Sequence, residues 1–102
     1  MNKQDFLQKL KKAVLLYDAK AEVILYGSRA RGDFREDSDW DILVLTEKEA
    51  DFVFQRKIRD EICEVELEYA EPISTIIMNK DRWRNLEISR LYKNVSIDGK
   101  KI

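Results

Sequence analysis

The sequence predicts a small α/β domain with a three-stranded sheet covered by helices. Three observations carry that prediction. Apolar residues recur at helical spacing in several segments, short apolar runs bounded by turn residues lie between them, and the two kinds of segment alternate along the chain. The expected order is helix, strand, short helix, strand, helix, strand, helix. With no repeat, low-complexity tract or linker, residues 1–102 read as one continuous domain.

Asn2 is positioned as an N-cap, with Asp5 three residues later in the reciprocal position. Phe6, Leu7, Leu10, Val14 and Tyr17 then follow helical spacing and predict a helix to about Asp18. "EVILY", Glu22 to Tyr26, is a short apolar strand stopped at Gly27, and "SRAR" forms a brief helical turn closed by Gly32. "DILVL", Asp41 to Leu45, reads as a fully buried strand. "EVELEY", Glu64 to Tyr69, alternates and taken alone fits a half-exposed strand. The wider window favours a helix, because Phe54, Ile58, Ile62, Val65 and Tyr69 are spaced 4, 4, 3 and 4. That helix is expected from near Glu49 to just before Pro72. "ISTIIM", Ile73 to Met78, is the third strand. Asn79 or Asp81 caps a last helix carrying Trp83, Leu86, Leu91 and Val95 inward, and "DGKKI" is a turn and short tail.

Composition narrows the chemistry. The chain of 102 residues is 44% hydrophobic and contains no histidine. That absence removes Ser-His-Asp and Cys-His catalysis and nearly every zinc site. Any metal would sit among hard oxygen ligands, which points to magnesium or a similar ion. A net charge of −1 argues against general nucleic-acid binding. No apolar run approaches the roughly 20 residues of a membrane span. The first residues lack a signal-peptide apolar region, and the lone Cys63 fits a reducing cytoplasm.

The densest chemistry lies in "YGSRARGDFREDSDWDILVL", Tyr26 to Leu45, where five carboxylates fall within the nine residues from Asp33 to Asp41. Gly27 ends a strand where positive φ or close backbone approach is often needed. Ser28 opens a helical turn whose free N–H groups favour an anion. Asp39 and Asp41 are two apart on a strand and project from one face, with Cα atoms about 6.6 Å apart. Such a pair can share a divalent cation, while Trp40 and Ile42 face the other side. Each element alone fits a blander description, a tight turn or a pair of solvated aspartates. In combination they offer phosphate donors beside cation ligands, with Arg29 and Arg31 adding positive charge nearby.

This stretch resembles the signature of the minimal nucleotidyltransferase family within the DNA polymerase beta-like superfamily: Gly-Ser, a spacer of this length, then Asp-x-Asp in a strand. The resemblance extends over the whole chain in size and element order. It implies the small nucleotidyltransferase fold with a three-stranded mixed sheet. It also implies magnesium-dependent transfer of a nucleoside monophosphate, AMP from ATP or another nucleoside triphosphate, to a hydroxyl of a protein partner or a small molecule. Many small members are antitoxins encoded beside a helical HEPN partner, and some add AMP to a tyrosine of that partner; whether this chain forms a homo- or hetero-oligomer is left open. On this resemblance Gly27 and Ser28 hold the triphosphate with Arg29 and Arg31 close by. Asp39 and Asp41 are then the catalytic metal ligands, and Asp33, Glu36 and Asp37 are outer charges.

The pattern departs from the family at one place. Active members carry a third carboxylate on the third strand, but Ser74, Thr75 and Ile76 of "ISTIIM" are not acidic. Glu66 or Glu68 would fill the role if "EVELEY" were the strand, and Glu71 can approach only from the loop before Pro72. The alternative function is therefore a catalytically weak or inactive binding module that neutralises a HEPN-like partner by contact. Charge adds a second clue to a partner: Asp60 to Glu71 is acidic, whereas Asn79 to Ile102 holds seven Lys/Arg against three Asp/Glu.

Overall fold

The computed structural model describes residues 2–102. Helix α1 spans Lys3–Leu15, strand β1 Glu22–Tyr26, the short helix α2 Ser28–Arg31 and strand β2 Trp40–Thr46. Helix α3 follows at Phe52–Tyr69, strand β3 at Ile73–Asn79, helices α4 and α5 at Lys80–Arg84 and Arg90–Asp98, and strand β4 at Lys100–Lys101. The sheet order is β3-β2-β1-β4; β1 runs antiparallel to β2 and β4, and β2 runs parallel to β3.

The α1 start follows from its cap, since Asn2 Oδ1 accepts from the Gln4 and Asp5 N–H groups. The helical alternative for "EVELEY" is the one realised. Ile58, Ile62 and Val65 are its buried stripe, and Asp51 caps it by accepting from Phe54 N at 2.9 Å. It ends at Ala70, in left-handed conformation with φ 53°, two residues before Pro72.

The two sheet faces carry separate cores. Alternation sends Trp40, Ile42 and Val44 of β2 toward α1 and α3, where they meet Phe6, Leu10 and Ile58. Leu43 and Leu45 face the other way, onto Trp83 and Val95 from α4 and α5. Each such side chain, fully buried, contributes about 1.5–3 kcal/mol. By the same alternation Asp41 belongs to this second face, where it is half-buried and its β3 partner Ser74 is exposed.

Two expectations are corrected. The sheet has four strands rather than three, because "KK" of the tail pairs with Leu25 and Ile24 on the free edge of β1. The single last helix is two helices: Leu86 to Leu91 is five residues, one too many for a continuous stripe, and Ser89 caps α5 by accepting from Tyr92 N.

Candidate active site

The Gly-Ser turn is shaped by its glycine. Gly27 has φ 74° and ψ −157°, a conformation L side chains rarely adopt, and it turns the chain from β1 directly into α2. Gly27 O accepts from Ala30 N and Arg31 N at 3.1 and 3.0 Å, and Gly32, at φ 92°, closes the turn by donating to Ser28 O. Ser28 occupies the first helical position, where backbone N–H groups have no intrahelical acceptor.

Asp41 is brought to this turn by register. It lies between Tyr26 of β1 and Ser74 of β3, and its carboxylate covers Gly27 so closely that a Cβ there would overlap Oδ2. Burial pushes the Asp41 carboxyl above its ordinary pKa, and the charge of Asp39 pushes it further, with Arg31 opposing. The same carboxylate, after burial, helps raise the Tyr26 phenol. Asp39 is exposed and precedes β2 by one residue. Thus Gly27, Ser28, Asp39 and Asp41 converge at one corner of the sheet.

The donor set suits a hard divalent cation. Asp41 is half-buried and Asp39 adds a like charge beside it, so a bound cation would offset both the burial of the Asp41 carboxylate and the repulsion from Asp39.

The two arginines part company. On a four-residue turn, positions two apart point about 200° away from each other, so only one can face the acids from outside. Arg31 is the exposed one; it donates to Asp33 at 3.1 Å and to Asp98 at 3.2 Å and lies close enough to Asp41 to act on its charge. Arg29 is 8% exposed and turned to the other side of α2, under the acidic loop. Its donors go to Ser38 O and Glu36 O, away from the Gly-Ser turn.

None of the three candidate third carboxylates is beside Asp41. Glu66 accepts from Ile73 N at 2.7 Å, Glu68 pairs with Lys9 of α1 at 3.3 Å, and Glu71 accepts from Trp40 Nε1 at 3.1 Å. All three reach groups on the α1/α3 side, opposite to Asp41. Its same-face neighbour in β3 is Ser74, which is exposed. Among the described residues no group of three or more acidic, cysteine or histidine side chains is arranged to hold a metal. The site is an open shelf. A cavity of about 570 Å³, lined by Gln55, Asn79 and Arg82 among others, sits at the opposite ends of β2 and β3 from these acids.

Sequence reasoning missed two participants. Asp98, the partner of Arg31, comes from a distant helix end and leaves no local signal. The inward turn of Arg29 was available in principle from the geometry of a single helical turn.

A glycine-serine turn at the end of β1 is thus backed by Asp41 of the adjoining strand, with Asp39 just before that strand. Residues 6–101 match the family model described as "Nucleotidyltransferase domain", and the chain belongs to this family of nucleotide-transferring enzymes. Two Methanocaldococcus jannaschii proteins share the name "Putative protein adenylyltransferase" and resemble it in sequence. MJ0141 is 36% identical over 78 residues, covering 74% of this chain and 79% of its own. MJ0604 is 30% identical over 79 residues, covering 78% and 74%. In fold the chain is similar to a crystallised toxin–antitoxin with AMP-PNP, with TM-score 0.62, 20% identity, and coverage of 92% of this chain and 69% of the other.

Proposed function

We propose that this chain is a cytoplasmic, magnesium-dependent nucleotidyltransferase that moves AMP from ATP to a hydroxyl of a protein partner. The partner is a helical HEPN-like protein, and the chain is its antitoxin. The observation that carries the reading is the seating of Asp41 on Gly27 with Asp39 beside it, which joins cation ligands to a phosphate-binding turn. The names of the sequence relatives support protein adenylylation, and the shared fold fits a toxin–antitoxin setting.

The residues divide the work as follows. Ser28 and the first N–H groups of α2 bind phosphate oxygens. Arg31, now shared between Asp33 and Asp98, supplies positive charge at the edge of the shelf. Asp39 and Asp41 would hold magnesium, which when bound supplies charge neutralisation at the leaving pyrophosphate and the acceptor hydroxyl.

A second reading follows from one observation. Ser74, rather than a carboxylate, adjoins Asp41, so no third acid stands ready to take the acceptor proton. On that reading the chain binds nucleotide and partner but transfers little, and neutralises the partner by contact.

One experiment separates them. The chain is mixed with Mg-ATP and the helical protein encoded beside it, and intact masses are recorded. The first reading expects one added AMP, lost when Asp39→Asn and Asp41→Asn are combined. Stable binding with no adduct under any nucleotide overturns it in favour of the second.

A further inference from the structure

We infer that Arg29 is a positioning residue for Asp39, acting through Ser38 and Trp40 on either side of it; this deepens the metal-site reading above and rests on it. A buried guanidinium is unfavourable unless its donors are used and its charge is offset. Arg29 directs its hydrogen bonds to one short segment, residues 36–38, and finds its counter-charge outside it. Its Nε and Nη2 both donate to Ser38 O, at 3.3 and 3.0 Å, and Nη2 also donates to Glu36 O at 3.1 Å. Its guanidinium carbon lies 4.3 Å from the Phe34 ring centre and 4.5 Å from that of Trp40. Glu71 supplies the counter-charge at 3.9 Å.

These contacts bracket Asp39. The Ser38 carbonyl belongs to the peptide bond that leads into Asp39, so gripping that oxygen fixes the plane from which Asp39 departs. On the far side, Trp40 stacks on the same guanidinium. Its indole donates to Glu71 at 3.1 Å and its backbone N–H to Pro72 O at 2.9 Å. Asp39 is itself exposed, so its placement comes from these two neighbours. Arg29 also follows Ser28 directly on α2. The phosphate-side hydroxyl and the cation ligand are therefore tied to one helical turn, Ser28 by covalent sequence and Asp39 by the guanidinium. A lysine would restore the charge but not the fork, because an ammonium is a point donor without a planar face to stack.

The test measures Mn2+ binding to the full chain with a non-hydrolysable ATP analogue, by electron paramagnetic resonance, well below each variant's melting temperature. Arg29→Lys is expected to weaken Mn2+ binding about 10–100-fold, the range for groups that orient metal ligands. Asp39→Asn should weaken it at least as much. A purely structural arginine would lower the melting temperature and leave the Mn2+ affinity of the folded chain unchanged, so a folded Arg29→Lys with wild-type affinity overturns the inference. Phe34→Ala keeps the test decisive if Arg29→Lys does not fold, because it removes one wall of the stack and leaves the buried charge in place. It should weaken Mn2+ binding several-fold, and wild-type affinity there overturns the inference. A wild-type chain that takes no Mn2+, or an Asp39→Asn chain that binds like wild type, overturns the metal-site reading and the inference with it.

Discussion

The carboxylate of Asp41 rests on the Cα of Gly27: a Cβ built at position 27 would overlap Oδ2 and stand 3.1 Å from Cγ. The strand register that pairs Tyr26 with Asp41 makes this contact unavoidable once the chain turns at Gly27. Any side chain there must displace the metal-ligand candidate as well as adopt a φ of 74°.

Gly27→Ala is therefore expected to lower stability by about 1–3 kcal/mol through backbone strain, and to abolish AMP transfer in the chain that remains folded. Gly32→Ala is the control. It shares positive φ, at 92°, but nothing lies within 4 Å of its Cβ position. It should lose about 1 kcal/mol and keep its transfer rate. Thermal melting and the intact-mass assay together check both; an active Gly27→Ala chain would contradict the role given to the contact.

Asp41→Asn separates stability from activity. Burial and the Asp39 charge raise the Asp41 carboxyl in the folded chain. A raised carboxyl penalises folding above its folded pKa and imposes no penalty below its unfolded one. Without metal, the variant should melt at the wild-type temperature or higher at pH 7, and any gain should vanish below about pH 4. Transfer should nonetheless be lost. A marked drop in melting temperature at pH 7 would show that Asp41 is a structural anchor.

Much of this was legible in the sequence because it rests on local periodicity. Ile58, Ile62 and Val65 announce α3, and the alternation of Trp40 against Asp41 already divides core from site. What was not legible depends on long-range register. β4 is two lysines long and carries no apolar pattern, so only its pairing with Ile24 and Leu25 reveals it. The break between α4 and α5 hid in a five-residue apolar interval that a looser reading of periodicity bridges. At the site, the Gly-Ser turn and the aspartate pair were readable from spacing. The partner of Glu71 was not, because its carboxylate meets Trp40 from 31 residues away in the chain.

The missed strand makes its own prediction. Lys101 of β4 contacts Glu22 of β1 at 2.6 Å, and its hydrogen bond is the main reason the Glu22 carboxyl lies below its ordinary pKa, with burial opposing. A depressed carboxyl stabilises the fold above its unfolded pKa and loses that contribution as pH falls through the folded one. Lys101→Met should thus lower stability slightly at pH 7, by about 0.5 kcal/mol for so exposed a pair. The difference from wild type should close below about pH 4 and shrink in about 1 M salt. A difference that persisted at low pH would assign the effect to strand pairing rather than to charge.

Ser74 is the position at which the two readings of function can be pulled apart by gain rather than loss. It adjoins Asp41 in the parallel register and faces the same way, with Cα atoms about 4.8 Å apart. An aspartate there would complete a cluster of three carboxylates on one face. In the metal-free chain, Ser74→Asp adds a third negative charge to a crowded corner and should lower the melting temperature. With Mn2+ present, the added unit charge at about 5 Å is worth roughly tenfold in affinity even with water-like screening. If transfer is limited by the missing acid, the AMP adduct should form faster than in wild type. If the rate is unchanged while Mn2+ affinity rises, the acceptor proton leaves by another route and Ser74 is no gap in the machinery. Should neither affinity nor rate respond, the cation does not sit between β2 and β3 at all, and the placement of the metal at Asp41 would have to be abandoned.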